Sequence, residues 1–229
     1  MKELFSIPVL PVVLTLLAYQ AGAAIQKRTK SALCNPILLA VVLVALFLFG
    51  SGMELEDYQA GMKNVSWLMT PATVCLAIPM YEQYQELKKS MRAMAIGVAA
   101  GSAACIVMVW GLCMLFGLSR TLTVTLLPKS VTSAIGVPLA QMGGGLGSLC
   151  TAVIIVTGIL GSVFGEAACK MLGLTDPVAQ GVAFGTASHV VGTAKAGEIS
   201  PLVGAVSSLS LVVAGLMTSV ILSVLYGFL

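Results

Sequence analysis

Long apolar segments, separated by short polar stretches, make up almost the whole chain. They are continuous runs of about 20 residues rather than alternations of apolar and polar positions, which is typical of membrane-spanning helices and not of strands. The segments are 4–25, 32–50, 64–81, 93–116, 121–141, 149–172, 177–196 and 201–229. This pattern predicts an all-α, polytopic helical membrane protein of about 7–8 membrane segments, built as a single integral membrane domain over residues 1–229.

The composition supports the same class. Hydrophobic residues are 58% of the chain and charged residues only 9%, and the mean hydropathy is +1.02, whereas a soluble domain carries about 25% charged residues. The lipid bilayer is therefore a predicted partner. The net charge of +3 is small and gives no reason to expect a nucleic acid partner.

The chain lacks the motifs of metal, cofactor or catalytic sites. None of its six cysteines forms a CxxC pair, and its one histidine has no cysteine or carboxylate close in sequence. The cysteines are best interpreted as small buried hydrophobic residues. We therefore expect no metal, no cofactor and no enzymatic activity.

Charged loops predict how the chain is oriented. Residues 26–30 and 82–92 are basic, and residues 51–63 between them are acidic. The positive-inside rule then places both basic loops in the cytoplasm and the amino terminus outside. The carboxyl terminus is expected outside if segment 121–141 crosses, and inside if that segment dips in and returns.

Two segments carry a proline that is followed two residues later by a hydroxyl residue: Pro71 with Thr73, and Pro128 with Ser130. An offset of 57 aligns them, and both an internal repeat and a chance match fit this. Proline disrupts a helix interior but suits a first turn. Each proline is expected to begin a half-helix within the membrane, so that some segments are discontinuous or re-entrant. The alternative is two kinked helices with no pocket.

Lys129 is the charged residue nearest such a break. A lysine at the bilayer centre costs about 2.5–3.5 kcal/mol on insertion scales, which makes it a functional candidate unless the segment is shallow enough for it to reach the interface. Together with the hydroxyls of Ser130 and Thr132 and the amino terminus of a half-helix, it would form an anion site.

The stretch 185–196, Gly-Thr-Ala-Ser-His-Val-Val-Gly-Thr-Ala-Lys-Ala, holds the histidine. A continuous helix would align Thr186, His189 and Thr193 in one polar stripe. A second stripe beside it comprises Gly185, Ser188, Gly192 and Lys195. These stripes fit either a close-packed helix seam or the polar wall of a pocket. His189 can exchange a proton near neutral pH, which suits proton coupling.

Glu166 is the one acidic group of a late span. It could pair with Lys129 or His189 and belong to the same site. It could also face an interface and pair with Lys170, which is four residues further along the helix.

Four motifs resemble, in order and spacing, those of the LrgB/CidB family, and the resemblance covers nearly the whole chain. They are Thr70-Pro-Ala-Thr-Val, Leu127-Pro-Lys-Ser-Val-Thr, Asp176-Pro and the stretch 185–196. The family pattern after the second motif commonly continues Thr-Pro-Ile, where this chain has residues 133–135, Ser-Ala-Ile.

The resemblance implies a multi-pass protein of the bacterial inner (cytoplasmic) membrane, called antiholin-like and linked to control of murein hydrolase activity and lysis. Such proteins usually pair with a small LrgA/CidA holin-like membrane protein. The plant plastid glycolate/glycerate translocator resembles the two proteins fused, and bacterial members are linked to pyruvate uptake.

These observations predict a secondary transporter of small carboxylates such as glycolate, glycerate or pyruvate, with proton coupling through His189. The alternative is an antiholin-like protein that acts as a homo-oligomer or with an LrgA/CidA-type partner. The predicted substrate-binding residues are Pro71, Thr73, Lys129, Ser130, Thr132, Thr186, Ser188, His189, Thr193 and Lys195.

Overall fold

The computed structural model of the chain describes residues 9–29, 35–75 and 77–227, with 69, 70 and 73 described as backbone only. Every regular element in these residues is an α-helix, which confirms the predicted class. The chain divides into two compact units, Met1–Cys75 and Leu76–Leu229. The single membrane domain predicted over 1–229 stays a prediction.

The first unit pairs two apolar helices. Its helices are α1 (Val9–Thr29), α2 (Pro36–Ser51), α3 (Leu55–Ser66) and α4 (Met69–Cys75). Asn35 caps α2, because its Oδ1 accepts a hydrogen bond from Ile37 N–H at 2.9 Å. The hydroxyls of Thr15 and Tyr58 are hydrogen bonded at 2.7 Å, which joins α3 to α1.

Segment 64–81 is interrupted, as the sequence predicts. α3 ends at Ser66, and α4 begins at Met69 after a turn at Trp67 and Leu68. Pro71 therefore lies in the first turn of a short helix, where its missing N–H costs no helical hydrogen bond. The predicted site residue Thr73 lies in the same helix, and its side chain is outside the described residues.

The second unit holds the remaining helices. They are α5 (Ala77–Glu82), α6 (Tyr84–Leu115), α7 (Arg120–Leu126), α8 (Ser133–Met142), α9 (Gly147–Met171), α10 (Pro177–Ile199) and α11 (Pro201–Leu225). Within the described residues, four helices are long and apolar enough to cross a membrane: α1, α6, α9 and α11. The remaining segments are shorter or interrupted, so the predicted mixture of continuous and discontinuous segments is confirmed.

Segment 121–141 is broken at the predicted proline and then doubles back. α7 ends at Leu126, residues 127–132 form turns, and α8 begins at Ser133 rather than at Pro128 itself. The Leu146 N–H donates a hydrogen bond to Thr125 Oγ1 at 2.8 Å, so the chain after α8 lies beside the end of α7. Residues 120–146 thus form a re-entrant helical hairpin, hereafter hairpin 1.

The internal repeat with an offset of 57 is not matched by equivalent local structure. Pro71 lies within helix α4, whereas Pro128 lies in the turn after α7. The two prolines therefore interrupt their segments in different ways.

α10 also folds back on itself, at His189. This residue has φ 43° and ψ −141°, which is not helical. A straight helix would separate residues 184 and 192 by about 12 Å, yet a β-carbon on Gly192 would lie only 3.3 Å from the carbonyl oxygen of Phe184. Residues 177–188 and 190–199 are therefore the two arms of a second hairpin, hereafter hairpin 2.

The predicted continuous stripe of Thr186, His189 and Thr193 is consequently wrong. Periodicity of 3.6 residues aligns side chains only along unbroken helix, and the reversal at His189 puts Thr186 and Thr193 on opposite arms. The same reversal separates Gly185 from Gly192 in the second predicted stripe.

Since both hairpins return, the chain ends on the face where α9 begins. The Tyr226 hydroxyl donates to the Val124 carbonyl oxygen at 3.4 Å, beside the base of hairpin 1. The sequence predicts an inside carboxyl terminus if segment 121–141 returns to the face from which it enters. That prediction counts segment 177–196 as a crossing helix. With both segments returning, the same charge rule predicts an outside carboxyl terminus, which stays a prediction.

Candidate functional site

The tip of hairpin 1 presents Lys129 at an interrupted helix. Its ammonium group lies 3.4 Å from Ser130 Oγ, and Ser130 is buried. Thr132 is the N-cap residue of α8, and its backbone carbonyl accepts hydrogen bonds from the N–H groups of Ile135 and Gly136 at 3.0 and 2.8 Å. The three predicted residues of this tip therefore lie together at the start of a helix.

Lys129 has no counterion in the part of the chain that the structure describes. The ion pairs found there join Lys89 to Glu86, and Lys170 and Lys195 to Glu166 and Glu198. A cation in an apolar unit without a fixed anion is a site where a mobile anion gains favourable electrostatic interaction.

The tip of hairpin 2 presents His189. Its side chain is 4% exposed, and its Nε2 lies 2.9 Å from the backbone carbonyl oxygen of Ile154 in α9. Because a carbonyl can only accept, Nε2 carries a proton and Nδ1 is the nitrogen left to accept one. The positive φ of His189 is unfavourable for any residue with a β-carbon, and such backbone strain is concentrated at functional sites in proteins.

The two tips approach each other at Ile154. A β-carbon on Gly136 of hairpin 1 would lie 2.7 Å from Ile154 Cδ1, while the Ile154 carbonyl holds His189 of hairpin 2. Lys129 belongs to the same hairpin as Gly136, so Ile154 of α9 contacts the hairpin that carries Lys129 and also bonds to His189. The sequence could not show that the two hairpins meet at Ile154, since Lys129 and His189 are 60 positions apart in segments with no shared pattern.

Thr193 extends the polar cluster into the return arm of hairpin 2. Its Oγ1 donates to the His189 carbonyl oxygen at 2.8 Å and lies 2.8 Å from Ser207 Oγ in α11. A threonine hydroxyl has one proton, so Ser207 must be the donor of the second hydrogen bond. This chain of hydroxyls holds the arm against α11 just below the reversal.

Thr186 and Ser188 have packing roles. The Thr186 hydroxyl donates to the Val182 carbonyl oxygen of its own arm at 2.7 Å. Ser188 packs directly on Gly161 of α9, where a β-carbon would overlap its hydroxyl. Gly185 similarly packs on α11, since a β-carbon there would lie 2.5 Å from the Ser207 carbonyl oxygen. These contacts are those of a close-packed helix seam, and whether Thr186 and Ser188 also bind a substrate stays a prediction.

Lys195 lies at the base of hairpin 2 rather than at its tip. Its ammonium group pairs with Glu198 at 2.9 Å and with Glu166 of α9 at 3.9 Å. Glu166 also pairs with Lys170 at 2.8 Å. Of the two predicted alternatives, the structure therefore shows the pair with Lys170 and not a pair with Lys129 or His189. Lys195 thus ties the return arm of hairpin 2 to α9.

The sequence does not identify the residues of neighbouring helices that pack around the site. Gly158 leaves room for the imidazole, because a β-carbon there would lie 2.5 Å from His189 Cε1. Two hydroxyls in neighbouring helices, those of Ser102 and Ser210, are buried and have no hydrogen-bond partner in the described residues. The glycines at 158, 161 and 165 were a visible signal of close packing on one helix face.

Two helical hairpins inserted among apolar crossing helices define a multi-pass membrane protein. The LrgB-like family model matches residues 15–228, and the chain belongs to this family. It is 33% identical to the holin-like protein CidB of Staphylococcus epidermidis over 217 residues, which is 95% of each chain. It is 30% identical to the antiholin-like protein LrgB of Bacillus mycoides over 222 residues, which is 96% of each chain. No solved structure matches.

Proposed function

We propose that the protein is a secondary transporter of small carboxylates, with the site between the two hairpin tips. The observation that carries the proposal is Lys129, a cation without a counterion among the described residues. It lies at the tip of a hairpin that contacts Ile154, and the Ile154 carbonyl oxygen lies 2.9 Å from His189 Nε2. A carboxylate bound there would neutralise the lysine and gain hydrogen bonds at the same time.

The start of α8 supplies the donors. In its first turn, the N–H groups of Ile135 and Gly136 donate to the Thr132 carbonyl oxygen. The N–H groups of Ser133 and Ala134 have no backbone acceptor in the described part of the chain. Free N–H groups and the positive end of the helix dipole favour an anion at this position. Ser130 provides a hydroxyl next to them.

His189 suits the coupling role. With Nε2 donating to Ile154, the other ring nitrogen is the one that gains and loses a proton. A proton on that nitrogen would add a second positive charge beside Lys129, which becomes favourable only when an anion is present. Binding of the anion and of the proton would therefore support each other.

Uptake into proteoliposomes tests the proposal. Radiolabelled glycolate, pyruvate and lactate are offered in turn, with and without an inward proton gradient. We expect uptake of at least one acid, stimulated by the gradient, abolished in Lys129→Met and partly retained in Lys129→Arg. Lys89→Met removes an exposed lysine of α6 and is the matched control. Folded protein that transports none of the acids, or equal uptake by Lys129→Met, contradicts the proposal.

A second candidate function is favoured by the names of the relatives, which are holin-like and antiholin-like proteins. In this alternative the protein controls murein hydrolase activity and lysis through helix contacts, either as a homo-oligomer or with an LrgA/CidA-type membrane protein. It requires packing surfaces and not an anion site.

A lysis assay in cells separates the two functions. If helix contacts carry the activity, Lys129→Ala and His189→Ala leave the lysis phenotype unchanged, while Gly185→Leu, which introduces bulk against Ser207, abolishes it. If anion flux underlies the phenotype, the first two variants lose it. Co-purification of a tagged chain with an LrgA/CidA-type protein tests the partner directly.

A further inference from the structure

The same glycine cap closes the two long helices α6 and α9 of the second unit, and it also closes the shorter α8 at Gly144. Residues 113–118, Cys-Met-Leu-Phe-Gly-Leu, are followed 56 positions later by residues 169–174, Cys-Lys-Met-Leu-Gly-Leu. Both close a long helix in the same way, with a glycine at positive φ: 62° at Gly117 and 67° at Gly173. The next residue then donates to the cysteine carbonyl, Leu118 to Cys113 and Leu174 to Cys169, at 2.9 Å in each case.

Each copy leads directly into a hairpin. α6 and its cap are followed by hairpin 1, and α9 and its cap are followed by hairpin 2. A helix start capped by a side chain comes next in both: Ser119 accepts from Leu122 N–H and Asp176 from Ala179 N–H. The order of crossing helix, glycine cap, N-cap and hairpin is thus repeated.

The two copies are inverted with respect to each other. Along α9, contacts with hairpin 1 come first, at Cys150 and Ile154, and contacts with hairpin 2 follow, at Gly161 and Gly165. α9 begins beside the base of hairpin 1 and ends at the base of hairpin 2. Since α9 is long enough to cross the membrane, the hairpins enter from opposite faces.

Neither hairpin is long enough to cross alone. The longest arm, residues 177–188, extends about 18 Å at 1.5 Å per residue, against a hydrocarbon core of about 30 Å. The tips therefore meet within the membrane, where Ile154 contacts hairpin 1 and hydrogen bonds His189 of hairpin 2.

We infer that the two hairpins are the gates of one pathway, with hairpin 1 closing the central site to one membrane face and hairpin 2 closing it to the other. The inference rests on the proposed transport function, and it assigns each hairpin a separate step. Hairpin 2 is the cytoplasmic gate, because its base lies at the end of α11 that packs against the basic start of α6, through Ala205 and Leu87.

The bases of the two gates are held by different chemistry. Hairpin 2 is tied to α9 by the ion pair of Lys195 with Glu166, whose side chains are 25% and 43% exposed. Hairpin 1 is held by neutral hydrogen bonds, from Leu146 N–H to Thr125 and from Tyr226 to the Val124 carbonyl. Loss of the ion pair should therefore release hairpin 2 alone.

Cysteine labelling tests the arrangement without measuring transport. All six cysteines are replaced by alanine, and single cysteines are placed at the hairpin bases: Leu118→Cys and Met142→Cys for hairpin 1, Thr175→Cys and Gly197→Cys for hairpin 2. All four positions are exposed, and a β-carbon at Gly197 meets no neighbour within 4 Å. A membrane-impermeant maleimide is then applied to vesicles of each orientation.

We expect Leu118→Cys and Met142→Cys to react from the outside only, and Thr175→Cys and Gly197→Cys from the cytoplasmic side only. A pair that splits between the two faces, or all four reacting from one face, overturns the inference. Insertion of protease sites at 117–119 and 173–175 into the chain with its native cysteines gives the same information if the cysteine-free protein does not fold.

The gating step is tested by labelling Lys129→Cys with an impermeant methanethiosulfonate. Lys195→Met should raise the reaction rate from the cytoplasmic side roughly twofold to fivefold, the effect expected from a partly exposed ion pair. Lys89→Met, which breaks an exposed pair in α6, should have no effect. No increase, or an equal increase from both faces, contradicts the gate assignment. If the labelling results are as expected but the unmodified protein transports none of the carboxylates, the gate assignment stands and the proposed substrate class is wrong.

Discussion

The Nε2 of His189 donates a hydrogen bond to the carbonyl oxygen of Ile154 across 2.9 Å, from the turn of a hairpin to the middle of a crossing helix. That carbonyl belongs to an α-helix, where it is already an acceptor for the residue four positions on. The contact is possible because that residue is Gly158, whose missing side chain leaves space for the ring. One hydrogen bond therefore fixes both the position of the imidazole and which nitrogen is protonated.

Replacing His189 separates the role of its ring from that of its backbone. A non-glycine residue at such a φ costs on the order of 1–3 kcal/mol, so His189→Gly should be more stable than His189→Ala by about 1 kcal/mol or more. Thermal unfolding of the two variants in detergent measures this difference. If the ring carries the proton, both variants lose stimulation of uptake by a proton gradient. Equal stability of the two variants would show that the backbone at 189 is not strained.

Gly161→Ala should destabilise the protein, because the new methyl group would overlap Ser188 of hairpin 2. Overpacking of this kind costs about 1–3 kcal/mol. Gly111→Ala in α6 is the matched control, since a β-carbon there meets no neighbour within 4 Å. Adding Ser188→Gly to Gly161→Ala should restore much of the lost stability. If Gly161→Ala leaves the free energy of unfolding unchanged, hairpin 2 lies further from α9 than described.

The effects of substitutions at Thr193 and Ser207 on the free energy of unfolding should not be additive. In a double-mutant cycle of Thr193→Val and Ser207→Ala, we expect an interaction of about 0.5–1.5 kcal/mol in the free energy of unfolding. The single Thr193→Val change should be the more harmful one, because it also removes the donor to the His189 carbonyl. Strictly additive effects of the two substitutions would mean that the hydroxyls do not bond to each other.

Thr125 should be essential for closing the base of hairpin 1. Its hydroxyl donates to the Thr121 carbonyl at 2.7 Å and accepts from Leu146 N–H at 2.8 Å, and the residue is fully buried. Thr125→Val leaves the Leu146 N–H without an acceptor, at a cost of about 1–3 kcal/mol, whereas Thr125→Ser keeps the bond. Thr151→Val is the control, because among the described residues the Thr151 hydroxyl bonds to Gly147 of its own helix. Similar melting temperatures for Thr125→Val and Thr151→Val would contradict this assignment.

The sequence predicted the features that depend on neighbouring residues. Pro71 and Pro128 lie at interruptions of their segments, as predicted, because proline lacks an N–H donor. Lys129 lies at the tip of hairpin 1 because it follows Pro128, where the helix is interrupted. Whether Lys129, Ser130 and Thr132 bind a substrate stays a prediction.

The reversal at His189 could not be predicted, because the residues around it contain no proline and continue a helical pattern. Tertiary contacts impose the turn: Gly158 and Gly161 of α9 accommodate the ring and Ser188, and Ser207 of α11 holds the return arm. These partners lie many residues away in both directions. Local periodicity carries no information about them, which is why the predicted single stripe failed.

The repeated glycine caps at 117 and 173 have a consequence for the direction of flow. Two copies of one motif that insert from opposite sides resemble each other under a half-turn about an axis in the plane of the bilayer. A passage built from such halves is a reversible device, with no built-in preference for import over export. The combined gradients of the acid and of the coupled proton would then decide which way the cargo moves.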